Sequence, residues 1–461
     1  FGAPIRDNGG IYNAAIFIYK KNITVVCKNR LPNYGVFDEK RIFNKGKKYN
    51  TIIFKSFKLG ILICEDTWFN ALPNYLLEKG ANIFISINAS PYEKEKLNQR
   101  KAISSKLSKK SCSPIIYLNQ VGGQDELVFD GNSFFMDADG KIIEQCKSWK
   151  EDFKIVQILK NNKYLYKNYT DNNHELNTWS ALTLGLKDYF LKNSFKKIIL
   201  GLSGGIDSAV SAAIAVDAVG SNNVIGVMMP SKYSSKGSLD DAKMTATLLK
   251  IKTHLFNIED IHKVYLKNLS FNFHNNVKSI TNENIQSRIR GSILMSYSNN
   301  FSYLLISTGN KSEMSVGYST IYGDMNGGFN ALKDIYKTDL YKLAEWRNRT
   351  TTKYFKGPMG IVIPQNSITK SPSAELKPNQ EDSDSLPPYH ILDKVLYLLI
   401  EKELSVKEIV EKGFKTKLVK KISTLLFKSE YKRRQAPPGV KLSSKSFGKE
   451  RRYPITNKFK N

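Results

Sequence analysis

The sequence predicts an α/β protein in two parts: a strand-rich N-terminal α/β region, then a doubly wound region built on a parallel sheet. Three observations predict it. Between residue 11 and about residue 156, short apolar runs at 15–19, 23–27, 60–64, 83–87, 115–118 and 133–136 alternate with polar or helical segments, as many short strands do. Further on, an apolar run at 196–200, a glycine-rich loop, an Ala/Val-rich helical stretch at 209–218 and a second apolar run at 223–230 spell a β-α-β unit, whose crossover should be right-handed. With 461 residues, 41% of them hydrophobic, the chain is long enough for two or three domains with substantial cores.

Charge and cysteine content narrow the function classes. There are 70 Lys and Arg against 42 Asp and Glu, a formal net charge of +28. An excess of this size favours anionic partners. Here the lysines are spread along the chain as on a solvated surface, so nucleic acid is not an expected partner. Cys27, Cys64, Cys112 and Cys146 contain no Cys-x-x-Cys pair and are too few for a disulfide framework, so a reducing cytoplasm is the expected compartment. No apolar run is long enough to span a bilayer, Phe1 onward has no signal-peptide character, and no membrane partner is expected.

In chain order, the first chemical signal is Cys64, which falls where the run 60–64 ends, beside Glu65 and Asp66 and before Trp68. A buried, inert cysteine is the plain reading. Lys28, in Lys-Asn-Arg-Leu-Pro-Asn-Tyr, supplies the other: a nearby ammonium lowers a thiol's pKa and stabilises an oxyanion, which together make a covalent amidase site. Residues 161–177 are polar and lack sustained periodicity, and serve as a linker between a first domain at 1–160 and a second at 178–461. A helix at 179–192 then leads into Leu-Gly-Leu-Ser-Gly-Gly-Ile-Asp-Ser, residues 200–208.

This loop between strand and helix reads as a phosphate cradle. Gly204 and Gly205 let the backbone approach a ligand, Ser203 and Ser208 offer hydroxyls, and the helix opening at Ile206 presents free N–H groups to an anion. Asp207 would repel phosphates unless a divalent cation sits between them, which argues for Mg²⁺. The loop is neither a Walker A sequence nor Gly-x-Gly-x-x-Gly, and the alternative is a glycine turn with no ligand. Ligand is expected over the carboxyl ends of the strands, where Met229 also falls. The short basic stretch 231–238 reads as a mobile lid before a helix starting near Leu239. Asn284 and Arg288 have helical i,i+4 spacing and put an amide and a guanidinium on one face, the alternative being solvated surface. After the apolar run at 304–306, the polar stretch from Thr308 to Glu313 offers a second metal-ligand candidate in Glu313. Residues 364–385 read as a long polar lid, and helical periodicity returns at 391–427. The tail 431–439 is basic and proline-broken, and Lys432 and Arg433 are its candidate anion contacts, a nucleic-acid arm being the alternative.

Ser-Gly-Gly-Ile-Asp-Ser resembles the pyrophosphate loop of the ATP pyrophosphatases, which cleave ATP to AMP and pyrophosphate and include NAD, GMP and asparagine synthetases and tRNA-modifying enzymes. The strings Ile-Gln-Ser-Arg-Ile-Arg-Gly, Thr-Gly-Asn-Lys-Ser-Glu, Gly-Tyr-Ser-Thr-Ile-Tyr-Gly-Asp-Met, Pro-Ser-Ala-Glu-Leu and Asp-Ser-Leu-Pro-Pro-Tyr are similar to NAD synthetases in particular. Lys28-x-x-Leu31-Pro32, Cys64-Glu65-Asp66 and Asn88-Ala89-Ser90-Pro91 resemble the nitrilase-type glutaminase domain of the glutamine-dependent members.

The resemblance implies a nitrilase-like α/β sandwich followed by a Rossmann-like ATP-pyrophosphatase domain. It further implies amidation of deamido-NAD⁺ by way of an adenylate, with ATP as co-substrate, Mg²⁺, and nitrogen from glutamine or ammonia. It gives Cys64 and Lys28 as catalytic residues, with Tyr34, Glu65, Trp68, Ser90 and Lys96 at glutamine. For ATP it gives Ser203 through Ser208, Met229, Lys232, Thr308, Lys337 and Ser373, and for deamido-NAD⁺ it gives Asn284, Arg288, Glu313, Asp324 and Lys432. Asp207 and Glu313 are the implied metal ligands. At Lys232 the family usually has Arg, so the charge is kept and the planar fork lost. The family's glutaminase glutamate precedes the strand that opens this chain, and Glu39 does not replace it. The expectation is therefore an incomplete glutaminase domain, with ammonia-dependent synthesis retained and glutamine use weak. A homo-oligomer, with synthetase domains in pairs, is also implied.

Overall fold

The computed structural model of the chain describes all residues except 8, 48, 159–163, 165–168, 170–172, 275–276, 351–353 and 458–461. It divides into two compact units, one of Phe1–Gly122 with Val128–Asn173, the other of Gly123–Leu127 with His174–Asn461.

In the first unit, β1 (Gly2–Asp7), β2 (Gly10–Tyr19) and β3 (Asn22–Cys27) form an antiparallel sheet in that order. A second sheet begins with β4 (Ile52–Phe54) and β5 (Phe57–Ile63). Helix α1 (Ala71–Glu78) leads to β6 (Ile83–Asn88), and α2 (Lys96–Ser111) leads to β7 (Ile115–Asn119). β5, β6 and β7 are parallel, so both crossovers are helical, as parallel pairing requires. A hairpin of β8 (Val121–Gln124) and β9 (Leu127–Asp130) follows, its Gly123–Leu127 segment counted with the second unit, then β10 (Phe134–Met136) and β11 (Ile142–Gln145), which complete the sheet order β11-β10-β7-β6-β5-β4.

Strand alternation assigns the faces of this sheet. Ile61 and Ile63 join Ala15 of β2 in one cluster, so the two sheets share a core. Leu62 points the other way, into Phe84, Leu72 and Leu76 beside Leu107 of α2. The carboxyl ends of β5, β6 and β7 fall together on one edge of the unit.

The second unit opens with α3 (His174–Lys192) and continues as β12 (Ile198–Gly201), α4 (Ile206–Val219), β13 (Val224–Met228), α5 (Lys236–Leu249) and β14 (Lys252–Leu255). Then come α6 (Glu259–Asn272), α7 (Ser279–Phe301), β15 (Leu304–Ser307), α8 (Lys311–Val316), β16 (Phe329–Asn330) and α9 (Lys337–Arg349). The sheet is parallel throughout, in the order β14-β13-β12-β15-β16. The chain thus winds outward from β12 in one direction and then from β15 in the other, and the crevice between these two strand ends is the topological switch point. Every residue of α4 except Asp207 is buried, which is why the helix is Ala- and Val-rich on all sides. After the short α10 (Gln365–Thr369), the helices α11 (Tyr389–Ile400), α12 (Val406–Glu411), α13 (Thr416–Lys428) and α14 (Glu430–Arg433) close the unit. Leu392, Leu396 and Ile422 pack there against Val316 of α8 and Tyr336 at the start of α9.

Three boundaries differ from the sequence reading. α3 begins at His174 rather than Trp179, because a polar first turn carries no apolar period to read; 174–177 are therefore helical, and most of the expected linker lies outside the described residues. α5 starts at Lys236, since the Ser235 hydroxyl accepts from the Ser238 N–H at 3.1 Å and caps it, so the expected lid 231–238 ends in a helical turn. The expected long loop 364–385 contains α10.

Candidate functional site

In the second unit the loop after β12 meets the loop after β15. Gly204 has φ +84°, and a Cβ there would stand 2.1 Å from the Ser238 carbonyl oxygen, so only glycine fits. The serines brace the loop: the Ser203 and Ser208 hydroxyls are 3.1 Å apart, Ser208 donates to the Gly205 carbonyl at 2.9 Å, and Ser367 donates to the Gly204 carbonyl at 3.0 Å. Ile206, Asp207 and Ser208 form the first turn of α4, whose leading N–H groups have no intrahelical acceptor. A cavity of ≈ 330 Å³ opens here, lined by Ser203, Gly205, Asp207, Met229, Thr308 and Ser373 among others.

Beside the loop, two acids from different elements converge on one ammonium. Lys337, buried at the start of α9, donates to Asp207 Oδ2 and to Glu313 Oε1, the latter at 3.4 Å. Burial and the neighbouring Asp207 push the Glu313 carboxyl up to about 8. Burial opposes the charge on Lys337, and the two carboxylates outweigh it, holding the ammonium above its ordinary range. The remaining oxygens go to Asn310, whose Nδ2 donates to Asp207 Oδ1 at 2.8 Å and whose backbone N–H donates to Glu313 Oε2 at 3.4 Å. Ser312 accepts from the Lys337 N–H at 2.9 Å and donates to Asp393 Oδ1 at 2.5 Å, tying α8 to the first turn of α9. Lys311, between them, is fully buried against Asp334 at 2.8 Å and Glu401 at 2.5 Å.

The other candidates of this unit divide. Asp324 and Ile206 line the cavity, and Gly204 is not among its lining residues. Asn284 accepts from the Thr320 hydroxyl at 2.8 Å while the Thr320 N–H donates to Asp324 at 2.6 Å, which gathers the three on the flank of α7. Arg288 is exposed and donates to the Ile321 carbonyl at 3.2 Å. Lys232 is exposed too, with its ammonium 5.0 Å from the Tyr233 ring centre, and is not among the cavity-lining residues. The expectation that Arg433 reaches out to an anion is corrected, while Lys432 is placed at the end of α8. Lys432 donates to the Gly317 and Ser319 carbonyls at 2.7 and 2.5 Å. Arg433 is buried against the Ser315 carbonyl at 2.8 Å, one of the acceptors left over at the end of α8, and against Glu430 at 2.9 Å.

In the first unit Cys64 follows β5 directly and has φ +46°, a sparsely populated conformation for a non-glycine residue. Burial pushes its thiol up, Lys28 pulls it down, and Glu65 and Glu39 push it up again. Lys28 is itself buried and donates to Glu39 Oε1 at 2.6 Å. Asp66 fastens the two segments, accepting from the Arg30 N–H at 2.7 Å, the Asn29 N–H at 3.2 Å and the Ile63 N–H at 3.3 Å. Around them, Tyr34 donates to Glu65 at 2.7 Å, and the Lys96 ammonium sits 4.4 Å from the Trp68 ring centre. Ser90, after β6, is held by buried Arg100, which donates to its hydroxyl at 3.1 Å and its carbonyl at 2.8 Å and pairs with Asp130 at 2.7 Å.

Known families match in both units. The NAD synthase family matches residues 178–436 and the carbon-nitrogen hydrolase family residues 1–165. A glutamine-dependent NAD(+) synthetase of Thermotoga maritima is 41% identical over 99% of this chain and 84% of its own length. The chain belongs to the glutamine-dependent NAD(+) synthetases. A second such synthetase, from Synechocystis sp., is 43% identical over 97% of this chain and 82% of its own length. The structure of the Acinetobacter baumannii glutamine-dependent NAD+ synthetase in complex with ADP is similar at TM-score 0.76 and 40% identity, covering 99% of this chain and 84% of that one. A synthetase of this kind from Cytophaga hutchinsonii, 21% identical, shares the fold at TM-score 0.80.

Sequence reasoning missed Asn310, Asp393 and Arg100, and it noted Asp66 beside Cys64 without its role in holding the Lys28 segment. For Asn310 a signal existed: Asn-x-x-Glu ahead of a helix is a capping pair, and here Asn310 Oδ1 accepts from the Glu313 N–H at 3.0 Å. Asp393 and Arg100 act across long stretches of chain and leave no local pattern.

Proposed function

We propose that this chain is a ligase that forms NAD⁺ from deamido-NAD⁺ at the cavity of its second unit, consuming ATP. The observation that carries the reading is the convergence of Asp207, Glu313 and Lys337 beside the first turn of α4, at the switch point of a parallel sheet, in a member of this family. The ADP held by the Acinetobacter relative supports an adenine nucleotide in this crevice. An oxygen of the nicotinate carboxylate attacks the α-phosphorus of ATP and pyrophosphate leaves. Ammonia then attacks the acyl carbon, the carbon–oxygen bond to AMP breaks, and a proton is lost from the nitrogen.

Each residue has a charge or a position to supply. The loop from Ser203 to Ser208 and the N–H groups of α4 receive the phosphates. Lys337 balances charge that shifts onto pyrophosphate. Asn284, Arg288, Asp324 and Lys432 belong to the deamido-NAD⁺ side, and Met229, Lys232, Thr308 and Ser373 to ATP. Asp207 and Glu313 suit Mg²⁺: both give hard oxygen donors, and both already turn one oxygen toward a common cation. When bound, Mg²⁺ supplies charge neutralisation at the phosphates.

The first unit is the nitrogen supply. Cys64 attacks the glutamine amide carbon as the thiolate, Lys28 stabilises the oxyanion, and the carbon–nitrogen bond breaks with a proton taken up by the leaving nitrogen as ammonia. Water then hydrolyses the thioester to glutamate and the free thiol, while Tyr34, Glu65, Trp68, Ser90 and Lys96 hold the amino acid. Residues 1–160 are assigned to this glutaminase, 161–177 to the linker and 178–461 to the synthetase. A cytoplasmic homo-oligomer completes the reading.

The two nitrogen sources separate the units. Asp207→Ala should abolish NAD⁺ formation with either ammonium or glutamine, whereas Cys64→Ala should leave the ammonium reaction untouched and lose only glutamine use. Full ammonium-dependent turnover in Asp207→Ala would refute the assignment.

A further inference from the structure

Asn310 is fully buried, sits between the two acids, and touches both. Its Oδ1 is committed to the Glu313 N–H at 3.0 Å, so its Nδ2 is the atom that reaches Asp207 Oδ1 at 2.8 Å, which fixes the orientation of the amide. The same residue therefore caps α8, on which Glu313 is carried, and clamps the carboxylate of α4. The division of oxygens follows. Asn310 occupies Oδ1 of Asp207 and its backbone N–H occupies Oε2 of Glu313, leaving Oδ2 and Oε1 turned to the same ammonium. Lys311 and Ser312, the next two residues, anchor this turn to buried Asp334, Glu401 and Asp393, so the clamp is rigid.

We infer that Asn310 is a positioning residue that fixes the two acids, one from each half of the sheet, as a preformed seat for the divalent cation that accompanies the ATP phosphates. The inference rests on the reading of Asp207 and Glu313 as Mg²⁺ ligands. Without the Nδ2 donor, Asp207 loses its contact at Oδ1 and is held through Oδ2 by Lys337, so a divalent cation that takes the place of that ammonium meets a carboxylate no longer fixed against Glu313. Residues that orient metal ligands in this way change metal affinity about 10- to 100-fold when replaced.

Capping and clamping can be separated, because serine is as good a cap as asparagine but too short to donate to Asp207. The test is calorimetric titration of α,β-methylene-ATP into the full chain, once with Mn²⁺ and once with EDTA, for the unaltered protein and for Asn310→Ser. Thermal melting checks the fold, and Asn310→Thr, also a competent cap, is the second variant if the serine form is unstable. The expected result is that Mn²⁺ tightens nucleotide binding to the unaltered protein and that this tightening falls by about tenfold or more in the variant, with binding in EDTA unchanged. Equal Mn²⁺ enhancement in both proteins overturns the role of Asn310 alone. Loss of affinity that is the same in EDTA also overturns it, since the loop rather than the cation seat is then damaged. No Mn²⁺ enhancement in the unaltered protein overturns the metal reading and this inference with it.

Discussion

Gly204 and Gly205 are adjacent and look equivalent in the sequence, yet alanine should affect them in opposite directions. At Gly204, φ is +84°, and an L-residue pays about 1–2 kcal/mol to hold a left-handed conformation. The new Cβ would also stand 2.1 Å from the Ser238 carbonyl oxygen and 2.9 Å from its carbon, so the start of α5 must retreat. Overpacking of this kind costs roughly 1–3 kcal/mol, which brings the total to about 2–5 kcal/mol. At Gly205, φ is −78° and ψ 159°, and the nearest atom to a new Cβ is Ser203 Oγ at 3.4 Å. Alanine fits there and gains about 0.4–1 kcal/mol by restricting the unfolded chain. The assay is calorimetry of both variants, reading the transition that MgATP raises. Gly204→Ala should melt about 4 °C or more below Gly205→Ala, and its ammonium-dependent kcat/KM should fall about a hundredfold as the loop shifts. Coincident melting, or a lower transition for Gly205→Ala, would refute the packing argument.

Two further outcomes follow from burial. The Cys64 thiolate is the charged form and burial disfavours it, so its thiolate fraction should still be climbing at pH 9; peptide-resolved iodoacetamide labelling should rise without levelling from pH 7 to 9.5, and a plateau below pH 8 would contradict this. Asp217, at the end of α4, accepts from Arg347 at 2.7 and 2.9 Å and from the Trp179 indole at 2.8 Å, all three side chains being buried. Asp217→Ala leaves the guanidinium without its counter-ion and should cost about 3–5 kcal/mol by denaturant titration, a loss below 1 kcal/mol being incompatible with it.

Local chemistry was legible in the sequence, and long-range chemistry was not. The apolar runs found most strands because each is short, buried and bounded by turns, and the loop at Gly204 was legible because only glycine can meet its backbone demand. Asp207 and Glu313 were paired as metal ligands by the resemblance, while the residues themselves offered them only as separate acids. Their meeting at Lys337 was invisible, since it depends on β15 lying beside β12, an adjacency set by the strand order rather than by spacing along the chain. Arg433 misled for a related reason: in the basic string Lys-Arg-Arg it looks like a solvent-facing cation, and only the fold reveals the open carbonyls at the end of α8 that it satisfies. Lys232 and Arg288 carry charge that the fold leaves on the surface, where sequence gives no measure of exposure.

The most direct test of the account follows the carboxylate oxygen. Deamido-NAD⁺ labelled with ¹⁸O in the nicotinate carboxylate is incubated with the protein, ATP, Mg²⁺ and ammonium, and the products are read by mass spectrometry. Attack on the α-phosphorus followed by displacement at the acyl carbon puts one labelled oxygen into AMP, with NAD⁺ and unlabelled pyrophosphate as the other products. Label in inorganic phosphate, formation of ADP, or NAD⁺ accompanied by unlabelled AMP would contradict it.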